Sequence, residues 1–293
     1  MIKRFSRLLP LLLFSSCEKV ITLVPTNAEP LLVVEAVIEN EKAPMVTLSR
    51  SLNYFDRISV AQVAESFVHD AVIEVSNGHK THTLREYAEV SPEGFTLYYY
   101  SNDSADQSSS FKGELNQQYT LKINVDGNEY TASTLIPRLD KKIASLYWDP
   151  VNDSDDSTSV VLSAQIVDPP GYGNYIRYFT KRNKEEYFPP FNSVYDDQII
   201  DGKTYLAEIE RGAARSVGIN GNDIYFQRGD RVTVKFCNID KRVFDFWRTM
   251  EYNYSGIGNP FSSPGKVLGN IQGGALGYFG GYAVQYISII VPQ

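Results

Sequence analysis

Thiols, imidazoles and clustered carboxylates are the side chains that most often do chemistry, and this 293-residue chain has only two Cys and three His. Cys17 follows Phe14-Ser15-Ser16 at the end of an apolar run, where two small residues let a lipoprotein signal peptidase cut before a diacylated thiol. Cys237 ends Arg231-Val-Thr-Val-Lys-Phe-Cys, and strand alternation sets it beside Thr233 and Lys235 as an inert, buried or half-buried thiol. With Cys17 acylated, Cys237 has no disulfide partner. His79 and His82, three apart on a strand, face opposite sides, so with His69 they read as unrelated surface imidazoles and not a metal set. Asp149, Asp153, Asp155 and Asp156 offer oxygen ligands to a hard cation, but the run lacks the glycine and glutamate of a calcium loop and reads as a solvated turn. Glu185 and Glu186 sit among Lys and Arg, again a solvated face. Gly265-Lys266-Val267 lacks the hydroxyl residue of a nucleotide loop, and Gly256-Ile-Gly258-Asn-Pro-Phe261 lacks its third glycine. Neither a Gly-x-Ser-x-Gly elbow nor His-Glu-x-x-His occurs. The expectation is a protein that is not an enzyme and uses no cofactor and no metal.

Charge excludes a further class. A net of −7 leaves little for a phosphate backbone to bind, so no nucleic-acid partner is expected. Residues 1–16 carry Lys3, Arg4 and Arg7 ahead of Leu8–Phe14, a run too short to span a bilayer, and read as a lipoprotein signal peptide. Cleavage takes the net to −10 and leaves lipid on Cys17 as the attachment, palmitate-type acyl chains contributing ~0.8 kcal/mol per buried methylene. Residues 17–29 then form a lipidated linker.

The remaining chain must position whatever site exists, and its periodicity is that of strands. Leu31 to Glu39, Met45 to Ser51, Ala71 to Ser76, Thr81 to Arg85, Phe95 to Tyr100, Tyr119 to Val125 and Tyr130 to Ile136 alternate in polarity between turn residues. That spacing predicts an immunoglobulin-like or fibronectin-like β-sandwich over 30–137, with Asp126-Gly127-Asn128 as a hairpin turn. A second β-rich domain is predicted over 143–293, with strands at 143–148, 159–167, 175–181, 203–209, 231–239 and 282–291. One helix, 241–254, is predicted there from Asp240 as N-cap and Val243, Phe244, Trp247 and Met250 at helical spacing. The fold class is therefore all-β with one short helix.

Nine of the twenty glycines fall between 256 and 281. The segment reads as a long surface loop whose aromatics, Phe261, Tyr278, Phe279 and Tyr282, either pack inward or form a candidate interface.

These features resemble a known family. Ser16-Cys17-Glu-Lys, Leu32-Val-Val-Glu35-Ala, Leu48-Ser-Arg50-Ser, Tyr119-Thr-Leu-Lys-Ile123, Asp168-Pro-Pro-Gly-Tyr-Gly-Asn-Tyr175, Phe244-Asp-Phe-Trp247 and Asn270-Ile-Gln-Gly-Gly274-Ala-Leu-Gly277-Tyr-Phe279 are similar in order and spacing to the lipoproteins catalogued as domain of unknown function 4249. The resemblance implies a lipid-anchored outer-membrane protein of the Bacteroidota, encoded near TonB-dependent receptors, with no catalytic residues to carry over. It implies an accessory subunit of a TonB-dependent transport system with a β-barrel partner, or else a structural subunit of an outer-membrane assembly or secretion machine. A surface glycan- or ligand-binding module is the third reading and needs outward aromatics, with Trp148 and Trp247 the only tryptophans. The resemblance also makes Asp103-Ser104-Ala105 and Asp156-Ser157-Thr158 candidate O-glycosylation triplets, at Ser104 and Ser157. Only Glu18 and Lys19 are charged between Cys17 and Val20-Ile-Thr-Leu, so the expected location stops at the outer membrane without choosing a face.

Overall fold

The computed structural model describes residues 29–52, 59–91, 94–151, 158–214, 224–257, 263 and 265–293. Cys17, Ser157, Phe261, Asp153, Asp155 and Asp156 lie outside them. The protein is all-β, and among the described residues two helices accompany the strands.

The first seven strands are β1 (Leu32–Glu39), β2 (Met45–Arg50), β3 (Val72–Ser76), β4 (Thr81–Val90), β5 (Thr96–Asn102), β6 (Gln117–Val125) and β7 (Asn128–Ile136). They pair in the order β1-β2-β5-β4-β3-β6-β7. With strands lettered in chain order, β1-β2-β5-β4 and β3-β6-β7 are the ABED and CFG sheets of an immunoglobulin-type sandwich. β4 joins them, its start pairing with β3 and its longer remainder with β5. Alternation decides which side chains enter the sandwich: Leu32, Val34, Ala36 and Ile38 from β1 meet Tyr119, Leu121, Ile123 and Val125 from β6. Asp126 and Gly127 both take positive φ, at 52° and 75°, as a two-residue hairpin of matching twist requires. A short helix, α1 (Val60–Ser66), begins with a reciprocal Ser59–Gln62 capping box and buries none of its residues. With no buried face, it carries no periodic signal in the sequence.

The second half contributes β8 (Lys142–Pro150), β9 (Ser159–Val167), β10 (Tyr175–Arg182), β11 (Val194–Tyr195), β12 (Thr204–Ile209), β13 (Phe226–Gln227), β14 (Arg231–Ile239), helix α2 (Lys241–Ser255) and β15 (Leu276–Ile290). Here two expectations are corrected. The first is the boundary near residue 140. β15 pairs in parallel with β1, so β11-β10-β14-β15 continues the first half's sheet into one of eleven strands. Phe279 and Ala283 of β15 enter the first core. The connector is also fastened. Asn238 exchanges two hydrogen bonds with the Lys141 backbone, at 3.1 and 2.7 Å, and Gln285 does the same for Ile143, at 2.9 Å each. The second half therefore completes the first half's core and is not a separate domain.

The second correction concerns the glycine segment, whose last part is no loop. β15 starts at Leu276, so Gly277, Gly280 and Gly281 lie in a central strand. Beside β7 a Cβ on Gly281 would stand 2.4 Å from the Leu135 carbonyl oxygen, and the Gly281 N–H donates to Thr134 Oγ1 at 2.7 Å. Close backbone approach explains the missing side chain.

A smaller sheet of β8, β9, β12 and β13 covers the inner face of β10, β14 and β15 over a second core containing Val160, Leu162, Tyr178, Val234 and Phe236. α2 lies on the opposite face. Asp240 caps it as expected, accepting from the Val243 N–H at 2.9 Å, and Val243, Phe244 and Phe246 are buried over Cys237, Ile239 and Tyr278.

Candidate functional site

The outer face of β10, β14, β15 and β1 holds an open cavity of about 530 Å³, flanked by α2. Register explains its lining. Arg177 stands opposite Cys237, Phe179 opposite Lys235, Tyr278 opposite Glu35 and Tyr282 opposite Glu39, so alternation aims these side chains toward α2. Trp247 and Tyr254 of α2 complete the wall.

Arg177 is only 4% exposed. Its guanidinium lies 3.3 Å from the centroid of the Trp247 ring and 4.6 Å from that of Phe179, a cation–π contact with each. Nε donates to Ser193 Oγ at 3.1 Å, and one terminal nitrogen reaches Tyr282 Oη at 3.4 Å. Ser193 in turn donates from its N–H and hydroxyl to buried Glu251 of α2. Trp247 is held by its own N–H, which donates to Tyr282 Oη at 3.1 Å, while Tyr278 stacks on Phe246 at 4.4 Å. Among the described residues no carboxylate forms an ion pair with Arg177.

Glu35 is its counterpart. The carboxylate reaches solvent through the cavity and has no hydrogen-bond partner among the described residues. Surrounding protein raises its pKa above the ordinary 4.5, an effect that the Arg177 charge opposes.

Glu39 at the rim is tied down. It pairs with Lys235 and, at 2.7 Å, with Lys42, whose ammonium also donates to Tyr286 Oη at 2.8 Å. Burial alone would raise the Glu39 pKa, but Lys235 and Lys42 outweigh it and hold the carboxyl below the usual 4.5. A depressed folded-state pKa adds stability above the unfolded value, which is lost as pH falls through the folded one. Glu39→Gln is thus expected to cost about 1.5–3 kcal/mol at neutral pH. The variant should also lose less stability than the parent on acidification below about 4.5. Urea melts of both proteins across that range check this, and parallel acid slopes would contradict it.

The remaining sequence candidates fall as follows. Tyr278, Phe279 and Tyr282 are buried, at 3%, 0% and 3% exposure, so they pack inward and offer no outward interface. Cys237 is buried beneath α2, and burial pushes its thiol up to about 12, which keeps it protonated and unreactive. His82 corrects the surface reading. It is fully buried and orders the 103–109 loop, accepting from the Asp103 N–H at 2.9 Å through Nε2 and contacting Ser109 Oγ at 2.7 Å through Nδ1. His69 instead pairs with Glu86 at the surface. Glu185 pairs with Arg182 at 2.8 Å and Arg211 at 3.3 Å, and Ser104 is exposed in the loop that His82 holds. Trp148 and Trp247 are both half-buried.

One carboxylate cluster has no counterpart among the sequence candidates. Asp168, Asp197 and Asp201 bring oxygens within 4.8 Å of one another. Each already serves the Asp168–Tyr175 turn and its neighbours: Asp201 accepts from the Gly171 N–H at 2.6 Å, Asp197 from Gly173 and Asn174 at 3.0 Å, and Asp168 from Gly202 at 2.8 Å. Asp168 also faces the Lys141 ammonium at 2.8 Å. These contacts account for the cluster as a latch on a tight turn.

Arg177 and Glu35 are likewise absent from the sequence candidates. Each is a lone charge inside an otherwise apolar or aromatic strand, Tyr175-Ile-Arg177-Tyr-Phe179 and Leu32-Val-Val-Glu35-Ala-Val-Ile38, and that is the signal the sequence offers.

The family model described as Domain of unknown function (DUF4249) matches residues 18–288. The chain belongs to this family. The match in DUF4249 takes in every strand that lines the cavity, from β1 through Tyr282 of β15. No curated protein matches the chain.

Proposed function

We propose that this DUF4249 protein is a non-enzymatic outer-membrane lipoprotein, attached through lipid on Cys17, that acts as an accessory subunit of a TonB-dependent receptor by handling its ligand. The address rests on the Ser15-Ser16-Cys17 ending of the signal-like run. Among the described residues no helix is long and apolar enough to cross a membrane, and in this reading the lipid is the attachment. The role is carried by one observation, the cavity of about 530 Å³ with buried Arg177 on its wall. A concave site of that volume with a few convergent polar groups suits a small ligand. It favours ligand handling over a purely structural subunit. The reading as a surface ligand-binding module shares the cavity and differs in having no barrel partner.

Affinity purification from solubilised outer membranes is expected to recover a β-barrel receptor, and recovery of the chain alone would sink the receptor role. Depletion should abolish uptake of one class of nutrient, whereas general loss of outer-membrane proteins would point to assembly or secretion. Cys17→Ala is expected to leave the chain uncleaved or soluble in the periplasm, and unchanged membrane fractionation would refute the anchor.

A further inference from the structure

We propose that the Arg177 cavity binds a small zwitterion bearing both a carboxylate and an amine, of the class of apolar amino acids and short peptides. This deepens the ligand-handling reading and rests on it only for the cavity being a binding site. Of the cations on the wall, Lys235 is engaged by Glu39, which leaves Arg177 as the described cation there without a carboxylate. The Trp247 and Phe179 rings both lie against the guanidinium, Ser193 takes Nε, and Tyr282 Oη stands 3.4 Å from one terminal nitrogen. With Nε taken, an anion would meet the terminal nitrogens, which suit the charge-assisted hydrogen bonds of a planar carboxylate.

Glu35 supplies the second recognition element. Its carboxylate lines the same cavity and takes no hydrogen bond from the described residues, so a ligand ammonium would satisfy it. Glu35, the acid on the wall without an ion pair among the described residues, opposes a doubly charged phosphate or sulfate. A sugar platform is disfavoured for a different reason. The Trp247 ring already carries Arg177 at 3.3 Å, so that face is not free to stack on a pyranose. Phe179, Phe188, Pro189 and Val37 supply the apolar remainder, which suits an aliphatic side chain.

The test uses the full chain in detergent with Trp148→Phe, so that Trp247 alone reports by fluorescence, and calorimetry runs in parallel. Probes are leucyl-leucine, its N-acetyl form, its C-terminal amide, inorganic phosphate and maltose. Saturable binding of the free dipeptide is expected, weakened roughly 10- to 100-fold by blocking either end. Arg177→Gln should weaken it by the same factor and remove the penalty of the amide. Because Arg177 is buried and that variant can misfold, exposed Glu35→Gln is the second arm and should bind free and N-acetyl dipeptide alike. No saturation by free dipeptide, tighter binding of phosphate or maltose, or unchanged end-group preference in folded Glu35→Gln would each overturn the proposal. Peptide binding without a co-purifying barrel would sink only the receptor role, and a barrel without peptide binding only this ligand class.

Discussion

Replacing Asp168 with alanine is expected to destabilise the chain by about 3–5 kcal/mol. The Lys141 and Asp168 side chains are both 0% exposed and stand 2.8 Å apart. Neither of the two atoms in contact has another hydrogen-bond partner. Removing one member leaves an uncompensated charge in a place water does not reach, and that penalty exceeds what the pair contributes when intact. The position magnifies the effect. Lys141 lies on the connector clamped by Asn238 of β14, and Asp168 follows β9 while accepting from the Gly202 N–H, so the pair closes the end of the β8–β9 ladder where the connector enters it. Asp168→Asn should be less damaging than alanine, because it keeps an acceptor for Gly202. Lys141→Met combined with Asp168→Leu should recover most of the loss, since an apolar pair of similar volume removes both buried charges. Chemical denaturation of the four proteins decides this, and a loss under about 1 kcal/mol for Asp168→Ala would show that water solvates the pair after all.

Gly277→Ala has a comparably large expected effect. Gly277 takes φ +100°, and a Cβ there would lie 1.9 Å from the Val34 carbonyl oxygen of β1. Backbone strain contributes ~1–3 kcal/mol and the forced separation of β15 from β1 a further ~1–3 kcal/mol. The control is nearby. Gly274 has φ +91°, and a methyl group there would meet nothing within 4 Å, so Gly274→Ala carries the strain without the collision. The expected order is Gly277→Ala well below Gly274→Ala in melting temperature, with faster hydrogen exchange in β1 for the former. Equal losses would mean that β15 adjusts without leaving β1.

Much of the strand layout is readable in the sequence because burial on one face imposes a two-residue period. The first seven strands and their sandwich pattern follow from alternation, and α2 follows from Asp240 and the helical spacing after it. What escapes lacks such a period. β11 and β13 are two residues long, and α1 buries nothing. The start of β15 reads as loop up to Gly281 because glycine ordinarily breaks strands, whereas here the glycines make room for neighbouring backbones. The cavity escapes for another reason. Its charges sit singly on strands far apart in sequence, and a lone Arg or Glu among apolar neighbours does not name its partner.

The sequence by itself determined most of the strands, the capped helix and the scarcity of reactive side chains, because each depends on composition or on residues within a few positions of one another. Only the tertiary structure decided that β15 pairs with β1, at the opposite end of the chain, and so turned two expected domains into one continuous sheet. That pairing sets Tyr278 beside Glu35, and the β14 pairing beyond it brings Arg177 to the same face. Side-chain periodicity specifies which face of a strand is buried but not which strand lies alongside it, and the cavity exists only once those neighbours are chosen.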